Sequence, residues 1–249
     1  FYQCSVHAGM GGQANTNSTL GSSNFDGSTQ STVKVNQTAG FSIVKYTGNG
    51  STATIGHGLG AAPQTYILKE RNSGSDWYVY HKGIGATHQL KLNTDDAKAD
   101  NDRWQDTDPT SSVFYLAQKT ASNGSGDTYI AYCFSEVAGY SKFGSYTGNG
   151  NDDGSFVFLG FRPAWLMIKN TTTSSRDWII KNTTIDTFNV MNKAFKANTS
   201  NAEFASLSGV DFLSNGFKAR NNGTQINGSS NSYIYLAFAE SPFKNARAR

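Results

Sequence analysis

Tyr46-Thr47-Gly48-Asn49-Gly50 returns residue for residue as Tyr146-Thr147-Gly148-Asn149-Gly150, 100 positions later. The register continues beyond the pentapeptide. Leu59-Gly60 and Pro63 reappear as Leu159-Gly160 and Pro163 at the same offset of 100, and Asp76-Trp77 as Asp177-Trp178 at 101. Asn123-Gly124, Tyr129-Ile130, Phe134 and Glu136 reappear as Asn227-Gly228, Tyr233-Ile234, Phe238 and Glu240 at 104. The drift falls in polar stretches, where lengthening a loop costs little closure entropy. The chain therefore reads as one domain stated twice, over 40–138 and 139–249, with an extended linker or the end of an upstream domain over 1–39.

The 249 residues are 37% hydrophobic, 13% aromatic and 16% charged, enough for two cores of about 100 residues each. Apolar content sits in aromatic and β-branched residues, and the polar remainder is Gly, Ser, Thr and Asn. That mix suits strands and tight turns and disfavours helix. The expected fold is all-β: two tandem β-sandwich, jelly-roll-like repeats. A net charge of +3 with scattered basic residues argues against nucleic acid as a partner. No run of 18 apolar residues exists to cross a membrane as a helix. Phe1 is not an initiator methionine, so a processed chain or a piece of a longer polypeptide is expected.

Within the first copy, strands are expected over 40–46, 64–69, 76–81, 89–93, 111–118 and 129–136. The second copy repeats them over 142–146, 155–159, 164–169, 177–182, 216–220 and 231–240, while 189–195 and 202–207 can host a helical turn. Six Asn-Gly pairs, at Asn49, Asn123, Asn149, Asn215, Asn222 and Asn227, signal hairpins. Ile234, Leu236 and Phe238 line one face of the last strand and Tyr235, Ala237 and Ala239 the other, as in a central strand between two layers. The short link 137–141 suggests copies placed end to end.

Reactive residue types are few and form no familiar motif. There is no Gly-x-Ser-x-Gly, His-Glu-x-x-His or Gly-x-x-x-x-Gly-Lys, so no catalytic residue, cofactor or resident metal is expected. Cys133 has Ala237 as its counterpart, which marks a small buried position; pairing with Cys4 is the alternative. His57 is matched by Val157 and is not expected to belong to a shared site. His81 and His88 can meet across a hairpin as metal ligands, or stand as histidines without a role. The one carboxylate cluster is Asp95-Asp96, Asp100, Asp102, Asp106 and Asp108. It lacks the EF-hand order and reads as a solvated loop, with a calcium site as the alternative. Trp104 lies inside it, flanked by Arg103 and Gln105. A flat apolar ring beside acids and amides is what a sugar face needs, so Trp104, Asp100, Asp102, Asp106 and Asp108 form the candidate ligand-binding set. The alternative is a Trp that folds back to anchor its own loop.

The stretches "AGFSIVKYTGNG", "IGHGLG", "DWYVYH", "YIAYCFSEVAGYSKFGSYTGNG", "DFLSNGFK" and "FAESPFKNARAR" resemble a tandem β-repeat family of tail-fibre-like virion structural proteins from marine tailed bacteriophages. The resemblance spans residues 31 to 249. It implies a non-enzymatic virion protein, the C-terminal part of a tail fibre or similar appendage that attaches to the host surface. Its implied partners are identical chains in a homotrimer, other virion proteins and a host-surface glycan. A capsid-decorating or scaffolding fibre is the alternative, and a tail-spike depolymerase a third; the loops 94–112 and 183–208 would carry any recognition.

Overall fold

The structure, a computed structural model, describes residues 2–3, 11–12 and 21–241. Cys4, residues 5–10 and 13–20 of the expected N-terminal connector, and the basic tail 245–249 lie outside the described residues. The described chain is all-β. Its strands, in order, are β1 (Tyr2–Gln3), β2 (Gly11–Gly12), β3 (Ser22–Asn24), β4 (Ser31–Asn36), β5 (Phe41–Thr47), β6 (Ala53–Gly56), β7 (Thr65–Glu70), β8 (Trp77–His81), β9 (His88–Lys91) and β10 (Ala99–Asp100). Then come β11 (Val113–Leu116), β12 (Thr128–Phe134), β13 (Ser141–Thr147), β14 (Phe156–Phe158), β15 (Pro163–Asn170), β16 (Ile179–Asn182), β17 (Met191–Lys196), β18 (Phe204–Leu213), β19 (Gly216–Ala219) and β20 (Ser232–Ala239).

Each repeat is a two-layer sandwich. In the first, an eight-stranded sheet ordered β10-β9-β8-β7-β12-β5-β4-β3 is covered by the pair β11-β6. Val44, Tyr46, Tyr66, Leu68, Tyr129 and Ala131 meet Ile55, Phe114 and Leu116 between the layers. In the second, one sheet runs β13-β20-β15-β16-β17-β18-β19-β14 and folds over on itself. Leu166, Ile168, Tyr233 and Tyr235 thus face Val157, Val210, Phe212 and Phe217 from the same sheet. Cys133 is fully buried, and burial pushes its thiol up to about 12, which suits a packing residue.

The repeated pentapeptide is a clasp. Tyr46 stacks on Tyr129 at 5.1 Å, and its hydroxyl donates to the Ser122 carbonyl at 2.6 Å. Asn49 N–H donates to Asn123 Oδ1 at 3.1 Å, while Asn123 Nδ2 donates back to Asn49 Oδ1 at 3.1 Å. The second copy repeats every contact: Tyr146 stacks on Tyr233 at 4.9 Å and donates to the Ile226 carbonyl at 2.6 Å. Asn149 N–H reaches Asn227 Oδ1 at 3.1 Å and Asn227 Nδ2 reaches Asn149 Oδ1 at 2.8 Å. Gly48 and Gly148 are glycine because a Cβ there would run into the carbonyl oxygens of Gly124 and Gly228. So four of the six Asn-Gly pairs hold one another rather than turn hairpins. Asn215 alone closes a tight one, since Leu213 pairs with Gly216. Asn227 is fully buried and also donates to the carbonyls of Asn151 and Asn221 at 2.8 Å each. Asn227→Ala strands these acceptors and is expected to cost about 2–3 kcal/mol in denaturant unfolding.

A second clasp escapes the sequence. Trp77 N–H donates to Asn93 Oδ1 at 2.9 Å, Asn93 Nδ2 to Asp76 at 2.8 Å, and Lys91 pairs with Asp76 at 2.8 Å. In the second copy Asn198, Asp177 and Lys196 do the same around Trp178, at 2.9, 2.9 and 2.7 Å.

Four expectations are corrected. Residues 21–36 are not connector: β3 and β4 add to the β5 edge of the first sheet, and Val33 enters the core. Residues 189–195 and 202–207 are not helical; β17 and β18 pair across the fold, with Ala194 opposite Phe204. Strand register puts Val157 opposite Phe217 as Ile55 is opposite Phe114, so Val157 answers Ile55 rather than His57. And the copies do not stand end to end. Their large sheets pack back to back over Val79, Ile84, Leu90, Phe143, Met167, Trp178, Ile234 and Leu236, with Phe134 and Phe238 at the margin. Trp178 Nε1 donates to the Lys91 carbonyl at 2.9 Å across this seam. The physical reason is that β20 is apolar on both faces and needs cover on both.

Candidate functional site

The acidic segment does not form the binding set expected of it. Asn101 caps a 3-10 turn over Asp102–Trp104, and Gln105 ends it in the left-handed region at φ 54°. That turn throws Arg103 and Trp104 inward. Trp104 is fully buried, edge-on to Tyr66 at 4.9 Å and Tyr80 at 6.3 Å, with its indole N–H on the His88 carbonyl at 3.1 Å. It offers no face to a sugar and anchors its own loop. Arg103 is buried beside it, donating to Gln89 Oε1 at 2.7 Å and Ser122 Oγ at 2.9 Å and lying 3.5 Å over the Tyr78 ring. Gln105 Nε2 ties the Ala53 and Leu116 carbonyls at 3.1 and 2.6 Å.

The four acids stay outside and go separate ways. Asp100 sits on exposed β10 opposite His88. Asp102 pairs with Lys119 at 2.6 Å, and that partner holds its carboxyl below the usual range. Asp106 is exposed at φ 47°. Asp108 accepts from the Tyr80 hydroxyl at 2.9 Å; burial, then this carboxylate, raises the phenol. Among the described residues no three His, Cys, Asp or Glu side chains converge on a metal-sized site.

His57 and His81 are structural by their contacts. His57 is buried, with Nε2 on the Thr110 carbonyl at 3.1 Å and Nδ1 accepting from Leu59 N–H at 3.2 Å. His81 is buried at the seam. Nδ1 accepts from Gly83 N–H at 3.0 Å, which leaves Nε2–H to donate to the Tyr235 carbonyl at 3.3 Å. Both ring nitrogens are engaged, so His81 has no lone pair for a metal and does not join His88 in a site. Two lysines that the sequence did not single out are also buried. Burial pulls Lys169 and Lys181 down to about 8. Yet the Lys181 ammonium donates to the Met191, Asn192 and Lys193 carbonyls at 3.1, 3.2 and 3.3 Å, which uses all three of its N–H bonds. Such a lysine ties β16 to the start of β17, with its N–H bonds all engaged.

An open recess of about 260 Å³ at the seam is lined by Trp77, Leu92, Asn93 and Ala197. It falls below the usual ligand-pocket range and holds no group that activates a substrate.

What the surface does display is aromatic. Phe156 and Phe158, on edge strand β14, are 47% and 58% exposed, and Phe188, in the β16–β17 loop, is 80% exposed. Phe156 stands beside Lys218 on β19, and Lys218 and Arg220 share Asp153 at 2.6 and 3.5 Å. Lys142 lies over the Phe158 ring at 5.2 Å. Exposed apolar rings of this kind, rimmed by charge, are the surface feature that sets the second repeat apart. Sequence reasoning placed a strand over 155–159 but not its exposed rings, because Phe-Val-Phe reads as an ordinary core strand; which face lies outside is decided by pairing.

The molecule is thus an all-β protein of two sandwiches fused through a shared seam, with Phe156, Phe158 and Phe188 exposed on the second and Phe25 on the first. A family model described as a domain of unknown function (DUF7483) matches residues 14–242, and the chain belongs to that family. No curated protein and no solved structure matches it.

Proposed function

We propose that the protein is a non-enzymatic structural module of a bacteriophage virion, the C-terminal part of a tail fibre or similar appendage that engages the host surface. The observation that carries this reading is the pairing of a rigid double sandwich with an outward aromatic face. Two clasped repeats sharing one seam make a stiff body, and Phe156 stands out from it beside Lys218 and its partner Asp153, Phe158 beside Lys142, and Phe188 from the β16–β17 loop. Rings with acidic and basic neighbours suit stacking on a glycan with directional hydrogen bonds at its rim. Of the two loops expected to recognise a partner, 183–208 contributes Phe188, whereas 94–112 is anchored by Trp104. Weak contacts of this kind gain strength when several identical chains present them together, as in a trimer. A second reading, a fibre that binds only other virion proteins, is favoured by Phe25, 76% exposed on the opposite repeat, which gives the body apolar groups on both repeats.

Antibodies against the folded chain, applied with gold label to purified phage particles, separate these readings. Label at the distal ends of tail appendages is expected. Label on the capsid surface favours the second reading, and unlabelled particles that yield no such chain on denaturing gels overturn both.

A further inference from the structure

The two repeats differ most at one edge. In the first, β5 is covered by β4, and the arm leading there crosses the small layer. Ser31 pairs with Tyr46, and its hydroxyl donates to the Gly56 carbonyl at 2.8 Å. Ser28 and Thr29 N–H groups reach the Thr54 carbonyl at 3.1 and 3.2 Å. Asn24 and Asp26 lie so close over Gly56 that no side chain fits there. The arm thus closes the gap between β5 and β6.

The second repeat has no arm. Only residues 135–140 separate β12 from β13, too few to run out and back. Among the described residues β13 and β14 are accordingly the two open ends of its sheet. Single side chains bridge the gap instead: Lys142 Nζ donates to the Phe158 carbonyl at 3.0 Å, the position Ser31 serves in the first repeat, and Ser155 Oγ donates to the Thr147 carbonyl at 2.8 Å. Glu136 accepts from the Phe143 N–H at 3.0 Å. Because Ala239 N–H bonds to Tyr140 and Gly148 N–H to Asn231, the even residues of β13 bond to β20 and the odd ones face the open edge. Ser145, exposed between the bridges, presents its N–H and C=O there. Where Thr54 and Gly56 are covered by the arm, strand register places Phe156 and Phe158 uncovered.

The molecule also carries the complementary surface. Six large hydrophobics are exposed among the described residues; Phe25 and Val35 are on the arm, and Phe156 and Phe158 on the armless edge. The arm ends its own sheet with β3, which among the described residues has no strand on its outer side. We propose that the β13–β14 edge of one chain takes the outer face of the arm, β3 with Phe25, of a second copy. Strand β3 of the partner copy then extends β13 as β4 extends β5, and Phe25 of the partner copy covers Phe158. The two surfaces are different, so the contact is head to tail and closes into a ring or runs on as a filament. This holds whichever particle the chain belongs to.

Sedimentation velocity of the full chain over a concentration series up to about 200 µM tests it, at the weak end of specific association. Species larger than a dimer are expected. Phe25→Ser and Phe158→Ser should each weaken association at least tenfold while far-UV dichroism and melting stay those of the parent. A variant that fails to fold is replaced by Phe25→Lys or Phe156→Lys. The decisive arm mixes the two variants: each retains one good surface, so the mixture should form a 1:1 dimer and stop there. A parent chain that stays monomeric, association untouched by either substitution, or a mixture that does not dimerise overturns the proposal.

Discussion

Replacing Trp104 with Ala is expected to destabilise the protein by about 3–5 kcal/mol, the usual cost of emptying a buried aromatic site. For a chain of this size that is a loss of roughly 10 °C in melting temperature. Trp104 is fully buried between Tyr66, Tyr80 and the small layer, and its indole N–H holds the His88 carbonyl. A sugar platform would behave in the opposite way: an exposed Trp can be removed with little change in stability and a large loss of binding. Thermal unfolding of Trp104→Ala beside Asp106→Asn makes the contrast, since Asp106 is exposed and its substitution should move the melt by less than about 1 kcal/mol.

Acid should open the seam before it reaches the ion pairs. Burial depresses the His81 imidazole from an ordinary 6.5 to about 4, against a smaller upward pull from its hydrogen bond to the Tyr235 carbonyl. The folded state therefore binds a proton less readily than the unfolded chain. The resulting stability is fully present above pH 6.5 and is lost as the pH falls from there through about 4. At ~1.4 kcal/mol per pH unit the loss amounts to about 3 kcal/mol. His57, lowered chiefly by burial, adds to it in the same direction. Asp76, held down chiefly by Lys91, and Asp177, held down by Lys196 against its burial, stabilise above 3.8 and give way only at lower pH. Urea unfolding between pH 7 and 4.5 should thus show a falling stability that His81→Gln flattens; a pH-independent parent in that window would refute the assignment.

How much of this the chain announces depends on how many atoms of a residue are spoken for. The pentapeptide repeats without change because Tyr, Gly and Asn each use ring, backbone and amide in the clasp, and no other residue types supply that set. The Asp–Trp clasp announces only its first half: its partners, Lys91 and Asn93 matched by Lys196 and Asn198, are two residues in an Asn-rich chain and leave no recognisable stretch. The back-to-back seam was legible in Ile234, Leu236 and Phe238, since a strand apolar on both faces is covered on both. The short linker pointed the other way, but it fixes only proximity, not orientation. Trp104 was open to two readings for a local reason. Its acidic neighbours announce solvent, while a 3-10 turn ending in a left-handed Gln105 aims Arg103 and Trp104 inward, and such a turn has no periodicity to read. The exposed Phe156 and Phe158 became visible only when the armed and armless edges could be set side by side.

The shared seam is tested most directly by hydrogen exchange, followed peptide by peptide by mass spectrometry across a denaturant series for the parent and for Trp104→Ala. Trp104 belongs to the first repeat alone. If the repeats share one interior, peptides from β15 and β20 of the second repeat lose protection at the same denaturant concentration as those from β7 and β12, and the substitution moves both midpoints together. A substitution that shifts only the first repeat, with the second unfolding unchanged, would show two independent sandwiches and contradict the fused body.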